Sequence, residues 1–247
     1  MRALAALPQN RLSAYTPVQF QPFESKVHRV TPKSGKPQSR PKARTRLLPE
    51  ERRAQLLVCA VAAFAEHGVA RATHSHVAER AGVSVSAVHS YFRTREDLVA
   101  AVLGEVENYL LAVSVESLEG QKTVYEALMT LARRFANAAI EQPDLIKVWL
   151  DWSTGVRADV WPHYMEVLDQ LHGMAQKVLA RGKREGVISE KLNVKAAARL
   201  YNGGGHTVAL MQFAGAGRRE LDIFIDQLVR CVMGVGLDAP MGDAARA

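Results

Sequence analysis

Residues 74–93 of this 247-residue chain, HSHVAERAGVSVSAVHSYFR, hold the side chains best suited to recognition chemistry. Ser84, Ser86, His89, Ser90 and Arg93 donate or accept hydrogen bonds, and Ala87 among them is small. A surface that reads base edges in a DNA major groove needs such residues. The same stretch supplies their frame. Gly82 stands where a tight helix-to-helix turn calls for positive φ, and Ala78 lets two short helices approach. Val77, Ala81, Val83, Val88 and Tyr91 are spaced to seat the pair on a preceding helix. This Ala-x3-Gly-x5-Val pattern is the helix-turn-helix signature, whose second helix enters the major groove. Any helical hairpin turning on a glycine shares part of it.

Other reactive side chains form no constellation. His74 and His76 are two apart and share no helix face. His163 and His172, with Asp159 and Asp169 nearby, are nine apart and fall on different turns. No metal site is therefore expected. The chain has no nucleophile elbow, phosphate loop or cysteine cluster, so neither an enzyme nor a cofactor is expected. Cys59 and Cys231 are expected to pack in the first and last helices, and two cysteines point to a reducing, cytoplasmic setting. The block Gly203-Gly204-Gly205 costs a helix about 1 kcal/mol per residue relative to Ala. It implies a break or a very close neighbour, either a partner helix or a ligand.

The formal charge is +7, unevenly placed. Residues 1–46 carry ten Lys/Arg and one acid, a net of +9, and the remaining 201 residues a net of −2. A basic arm on a slightly acidic globule suits a polyanion, nucleic acid or a membrane surface. Six prolines and no sustained period in residues 1–43 predict a disordered arm, and its few aromatics and lack of amphipathic period argue against a membrane. The apolar run at residues 3–7 is too short for a signal-peptide core. The uninterrupted apolar stretches fall far short of the roughly 18–20 residues of a membrane span.

From Pro49 the periodicity is helical, with no period-2 segment, which predicts an all-α fold. Pro49 with Glu50 and Glu51 opens the first helix, Leu56, Leu57, Ala60, Val61 and Phe64 form its buried face, and His67-Gly68 closes it. Short helices follow over about 73–81 and 85–91, the first capped by Thr73. Thr94 with Asp97 starts a long helix to about 118. Further helices are predicted over 123–141, 143–153, 160–181, 194–213 and 219–234. Leu221, Phe224, Ile225, Leu228, Val229 and Val232 form a wide apolar stripe on the last helix, which suits a subunit interface or an internal core equally.

The first helix, the helix-turn-helix and the following YFRTREDL (residues 91–98) resemble the TetR family of bacterial transcription regulators. Arg44-Thr45-Arg46-Leu47, Lys147-Val148-Trp149, Trp152-Ser153 and Val160-Trp161-Pro162 make the resemblance closer to the LuxR/HapR branch, the quorum-sensing master regulators of vibrios. It runs from about residue 44 to beyond 203.

The resemblance implies an N-terminal three-helix DNA-binding domain over 44–97 and a helical regulatory and dimerisation domain over 98–235, flanked by a disordered extension (1–43) and tail (236–247). It implies a homodimer on double-stranded, pseudo-palindromic DNA. Arg44 and Arg46 would enter the minor groove, which favours Arg where it is narrow. Tyr91 and Arg93 would contact phosphates. With Thr73, Ser84, Ser86, Ala87, His89 and Ser90 these complete the expected DNA-contacting set. At Ser90 and His89 the vibrio regulators carry Asn and an aromatic, which leaves the operator sequence open. A pocket in the second domain would be lined by Leu110, Leu111, Trp149, Leu168, Ala175 and Gly205 and take a small apolar ligand. The alternative for these residues is plain core. A ligand-released local repressor of efflux or metabolic genes is the competing regulatory reading, and an all-α small-molecule binder or enzyme the more remote one.

Overall fold

The structure, a computed structural model, describes residues 48–156 and 158–235. The readings for 1–43, Arg44, Arg46 and 236–247 lie outside the described residues. Among the described residues there are nine helices and no strand. They are α1 (Pro49–His67), α2 (His74–Ala81), α3 (Val85–His89), α4 (Arg95–Leu118), α5 (Val124–Glu141), α6 (Pro143–Thr154), α7 (Trp161–Arg184), α8 (Val194–Phe213) and α9 (Arg218–Met233).

Local signals set most boundaries. Pro49 occupies the first turn of α1, and Glu51 reaches back to accept from the Leu48 amide at 2.9 Å. Thr94 and Asp97 form the expected capping box, with the Asp97 amide donating to Thr94 Oγ1 at 3.0 Å. Thr123 and Glu126 repeat the device at α5. The third helix stops at His89, two residues early. The amides of Tyr91 and Phe92 both turn back to the Val88 carbonyl, and this tightening ends the helix.

Two apolar cores organise the chain. One joins α1–α3 to α4, α6 and the start of α7, with Phe64, Phe92, Leu98 and Trp152 fully buried in it. The other joins α5, α7, α8 and α9 around Leu128, Leu179 and Ile225. By length and composition α4 could cross a membrane, with a mean hydropathy of 1.6, although the sequence pattern led us to expect no such segment. Its polar residues are scattered rather than clustered, so no uninterrupted run reveals it. Here Leu98, Val102, Leu103, Val106 and Leu110 are buried in the core shared with α1, α6 and α7.

The triple glycine does not break α8. Each residue meets a different surrounding. Gly203 faces open space, and Gly205 lies near Phe135. Gly204 lies under α9, where an added Cβ would come within 3.0 Å of Leu228 Cγ. The close neighbour is thus a helix of the same subunit. Gly204→Ala is expected to destabilise, because about 1–3 kcal/mol of overpacking outweighs the roughly 1 kcal/mol of helix propensity gained. Urea melts of Gly204→Ala with and without Leu228→Val check this. The second substitution should recover part of the loss.

Candidate nucleic-acid interface and interior cavity

In α2, Val77 and Ala78 turn inward, and Val88 does so in α3, all three buried against α1. Ala81, Val83 and Tyr91 are only partly buried. Gly82 between the helices is left-handed (φ 64°, ψ 38°), and its turn is closed by the Val83 amide donating to the Ala78 carbonyl at 3.0 Å. Ser84 caps α3 by accepting from the Ala87 amide at 3.2 Å. Ser84, Ser86, His89, Ser90 and Arg93 are exposed, as the spacing predicted. Ala87 is half-buried rather than outward, since it lies beside the buried Val88 on the edge of the packed face. Thr73 and Tyr91 are also half-buried.

Several of these side chains already have partners. Ser90 Oγ donates to the Ser86 carbonyl at 3.0 Å, and the Ser84 and Ser86 hydroxyls lie 3.0 Å apart. His89 stacks flat on buried His74, with ring centroids 3.9 Å apart and planes 11° apart. Each imidazole also bonds a successive carbonyl: His74 Nε2 to Phe92 at 2.8 Å and His89 Nδ1 to Arg93 at 3.1 Å. A carbonyl only accepts, so those nitrogens carry the protons. The two histidines therefore hold the link from α3 to α4. His76 has a different role, accepting from the Thr73 amide at 3.3 Å and stacking on His67 at 3.9 Å.

Longer ties fix this unit to the rest of the molecule. Arg95 Nη2 donates to the Val69 and Ala70 carbonyls, both at 2.7 Å. Asp151 on α6 accepts from the Val69 amide at 2.8 Å. Arg80 pairs with Glu66 across α2 and α1, and the Arg53 guanidinium lies 5.3 Å above the Phe92 ring. Among the described residues no three His, Cys, Asp or Glu gather as a metal site. His163 pairs with Glu107 and His172 with Asp169, so these histidines serve separate contacts. Burial pushes the Cys59 thiol pKa up, which keeps it protonated. Cys231 does not pack inside; it is exposed on α9.

Between α4, α5, α6, α7 and α8 lies a cavity of about 60 Å³. Leu110, Trp149, Leu168 and Gly205, four of the six residues that the resemblance named for a pocket, border it. Leu111 and Ala175 do not. Leu111 is one residue, about 100°, around the helix from Leu110, and Ala175 is buried in the second core. Trp149 is wall and core at once, with its ring 4.7 Å from Tyr164 and 5.7 Å from His206. Trp152 is core, its indole N–H donating to the Val160 carbonyl at 3.0 Å.

The family model described as "Bacterial regulatory proteins, tetR family" matches residues 56–102, the span from mid-α1 through the helix-turn-helix into α4. The chain belongs to the TetR family. It is a DNA-binding transcriptional regulator of that family, with the N-terminal helix-turn-helix and helical C-terminal domain of its relatives. It is 28% identical over 186 residues to the HTH-type transcriptional regulator LuxR of Vibrio harveyi, covering 75% of this chain and 89% of that one. Among solved structures, FadR of Bacillus subtilis in complex with stearoyl-CoA aligns with a TM-score of 0.60 at 21% identity, covering 72% and 96% of the two chains. FadR of Bacillus halodurans, a fatty acid degradation regulator, aligns at 0.64 and 20% identity, covering 79% and 100%.

Four residues that anchor this TetR-family unit, His74, Phe92, Arg95 and Asp151, escaped the sequence reading. Phe92 was legible as the apolar neighbour of Tyr91. Asp151 was not, since its partner is 82 residues away. Of the α9 stripe, Leu221, Ile225, Leu228, Val229 and Val232 are buried within the subunit and Phe224 is half-buried. The outward apolar side chains are instead Leu200, Leu210 and Phe213 on α8 and Ile223 on α9.

Proposed function

We propose that this chain is a sequence-specific regulator that binds a pseudo-palindromic operator as a homodimer. Its reading surface is the exposed side of α3. The observation that carries this is the outward set Ser84, Ser86, His89, Ser90 and Arg93, held rigid from behind by Val88, Phe92 and His74. Pre-set geometry lowers the ordering cost of docking in a groove. Arg44 and Arg46 serve the adjacent minor groove, and Thr73, Tyr91 and Arg93 the phosphates. Ala87 contributes a methyl at the edge of this surface.

Dimerisation uses the outer face of α8 and α9. Leu200 and Leu210 are 52% and 58% exposed, and Gly203 sits between them with open space above it. Exposed apolar residues along one helix face mark association surfaces. Competitive anisotropy against random DNA, with the mass of the complex measured by light scattering, tests both points. Two chains per site and steep salt dependence are expected. A single chain per site, or no fragment preferred over random DNA, refutes the reading. Arg46→Ala should weaken binding on every sequence and lower the salt slope by about one, whereas Ser90→Asn should change the preferred sequence.

The extent of the match to LuxR favours a quorum-sensing master regulator. The cavity favours a second reading, a local repressor released by a small apolar ligand, as the stearoyl-CoA complex of the Bacillus regulator illustrates for that protein. α6 supplies a route for such release: Trp149 borders the cavity, and Asp151 two residues on holds the α1–α2 loop. A genome-wide map of bound sites separates the readings, with many dispersed sites for the first and one site beside its own gene for the second.

A further inference from the structure

We infer that the cavity takes a small, neutral, single-ring ligand that donates a hydrogen bond, and that it turns away carboxylates and phosphates. This rests on the ligand-responsive reading above. None of the thirteen described residues around the cavity is Lys, Arg, Asp or Glu. The polar ones are Ser114, Tyr201, Asn202 and His206, and each has given a donor to a backbone carbonyl. Ser114 donates to Leu110 at 2.8 Å, Tyr201 to Leu128 at 2.6 Å, and Asn202 Nδ2 to Ala198 at 3.1 Å. His206 Nδ1 lies 3.2 Å from the Asn202 carbonyl.

The consequence is a wall of lone pairs. Because the Asn202 carbonyl can only accept, His206 Nδ1 holds a proton, and in the tautomer with that single N–H the Nε2 atom is an acceptor. Asn202 Oδ1 is a second acceptor. Burial pushes the Tyr201 phenol pKa far up, so its oxygen stays neutral and offers lone pairs rather than charge. The N–H groups left are one on Asn202 and the indole of Trp149, too few to replace the hydration of an anion, whose burial without a countercharge is costly. An uncompensated cation fares no better. The rings of Trp149 and Phe135 on the wall suit an aromatic face. About 60 Å³ is less than half of the roughly 150 Å³ that takes benzene in an engineered core, so a single ring already requires the walls to move apart and a larger ligand is excluded.

Three compounds with the same ring and chain isolate the chemistry: 4-ethylphenol, 4-ethylanisole and 4-ethylbenzoate, titrated calorimetrically into the full chain. The phenol is expected to bind at least about tenfold tighter than the anisole, because the anisole leaves a buried acceptor unpaired. The benzoate is expected to bind weakest. His206→Leu should abolish most of the phenol preference, and Asn202→Leu provides the second test should His206→Leu not fold, with both checked by thermal melting. Benzoate binding as tight as the phenol, or a preference surviving in both variants, overturns the donor requirement alone. Gly205→Leu fills the cavity where an added Cβ would lie 3.9 Å from Phe135. If none of the compounds binds, or binding ignores Gly205→Leu, the ligand-responsive reading itself falls, and this inference with it.

Discussion

Phe92→Ala is expected to cost about 3–5 kcal/mol of stability and to abolish operator binding, although the ring touches no surface. Phe92 is fully buried between α1, α3 and α4, with Arg53 over its face. Its carbonyl also accepts the His74 imidazole, so ring and backbone anchor the same point. The short helix α3 has five residues and cannot hold itself, since isolated helices below about 12–15 residues are marginal. Removing the ring leaves a cavity where α3 is joined to α4. A typical domain has only about 5–15 kcal/mol in hand, so the loss is a large part of it. Urea melts monitored by circular dichroism measure the effect. Tyr91→Ala, at the half-buried neighbour, should cost much less. Equal losses at the two positions would show that Phe92 is not the anchor.

Ser86→Glu is expected to reverse that pattern, with binding lost and the fold kept. Ser86 is exposed on α3, and its hydroxyl meets only Ser84. A surface change of this kind usually alters stability by no more than about 0.5 kcal/mol. In the proposed complex the new carboxylate faces the phosphates of the groove, and repulsion plus lost contacts should weaken binding at least about 100-fold, or roughly 2.7 kcal/mol. Anisotropy with a selected operator reads the first quantity and thermal melting the second. Ala196→Glu adds the same charge to an exposed site at the start of α8 and should leave affinity nearly unchanged. An affinity for Ser86→Glu within threefold of the parent chain would remove α3 from the reading surface.

Much of the fold was legible because it is local. The capping box at Thr94, Pro49 in the first turn of α1 and Gly82 in a left-handed turn each act within four residues. The outward face of α3 followed from spacing alone, and of its six members Ala87 departs by half-burial. The pocket was legible only in part. Leu110, Trp149, Leu168 and Gly205 border the cavity, while Leu111 and Ala175 do not, because the register of one helix against another is not written in either helix separately.

By itself, the sequence determined that the chain is helical, where its helices begin, and that residues 74–93 make a helix-turn-helix, since hydrogen bonds and backbone angles over a few residues carry that information. Tertiary structure decided what covers each face. It set the apolar stripe of α9 inside the subunit and left Leu200 and Leu210 outside. It gave three adjacent glycines of α8 an open face, the Leu228 side chain and the cavity. It also joined Asp151 to Val69 and stacked His89 on His74. Spacing fixes which residues share a face, but a face is apolar whichever neighbour buries it. The choice among neighbours is made by packing between segments far apart in the chain.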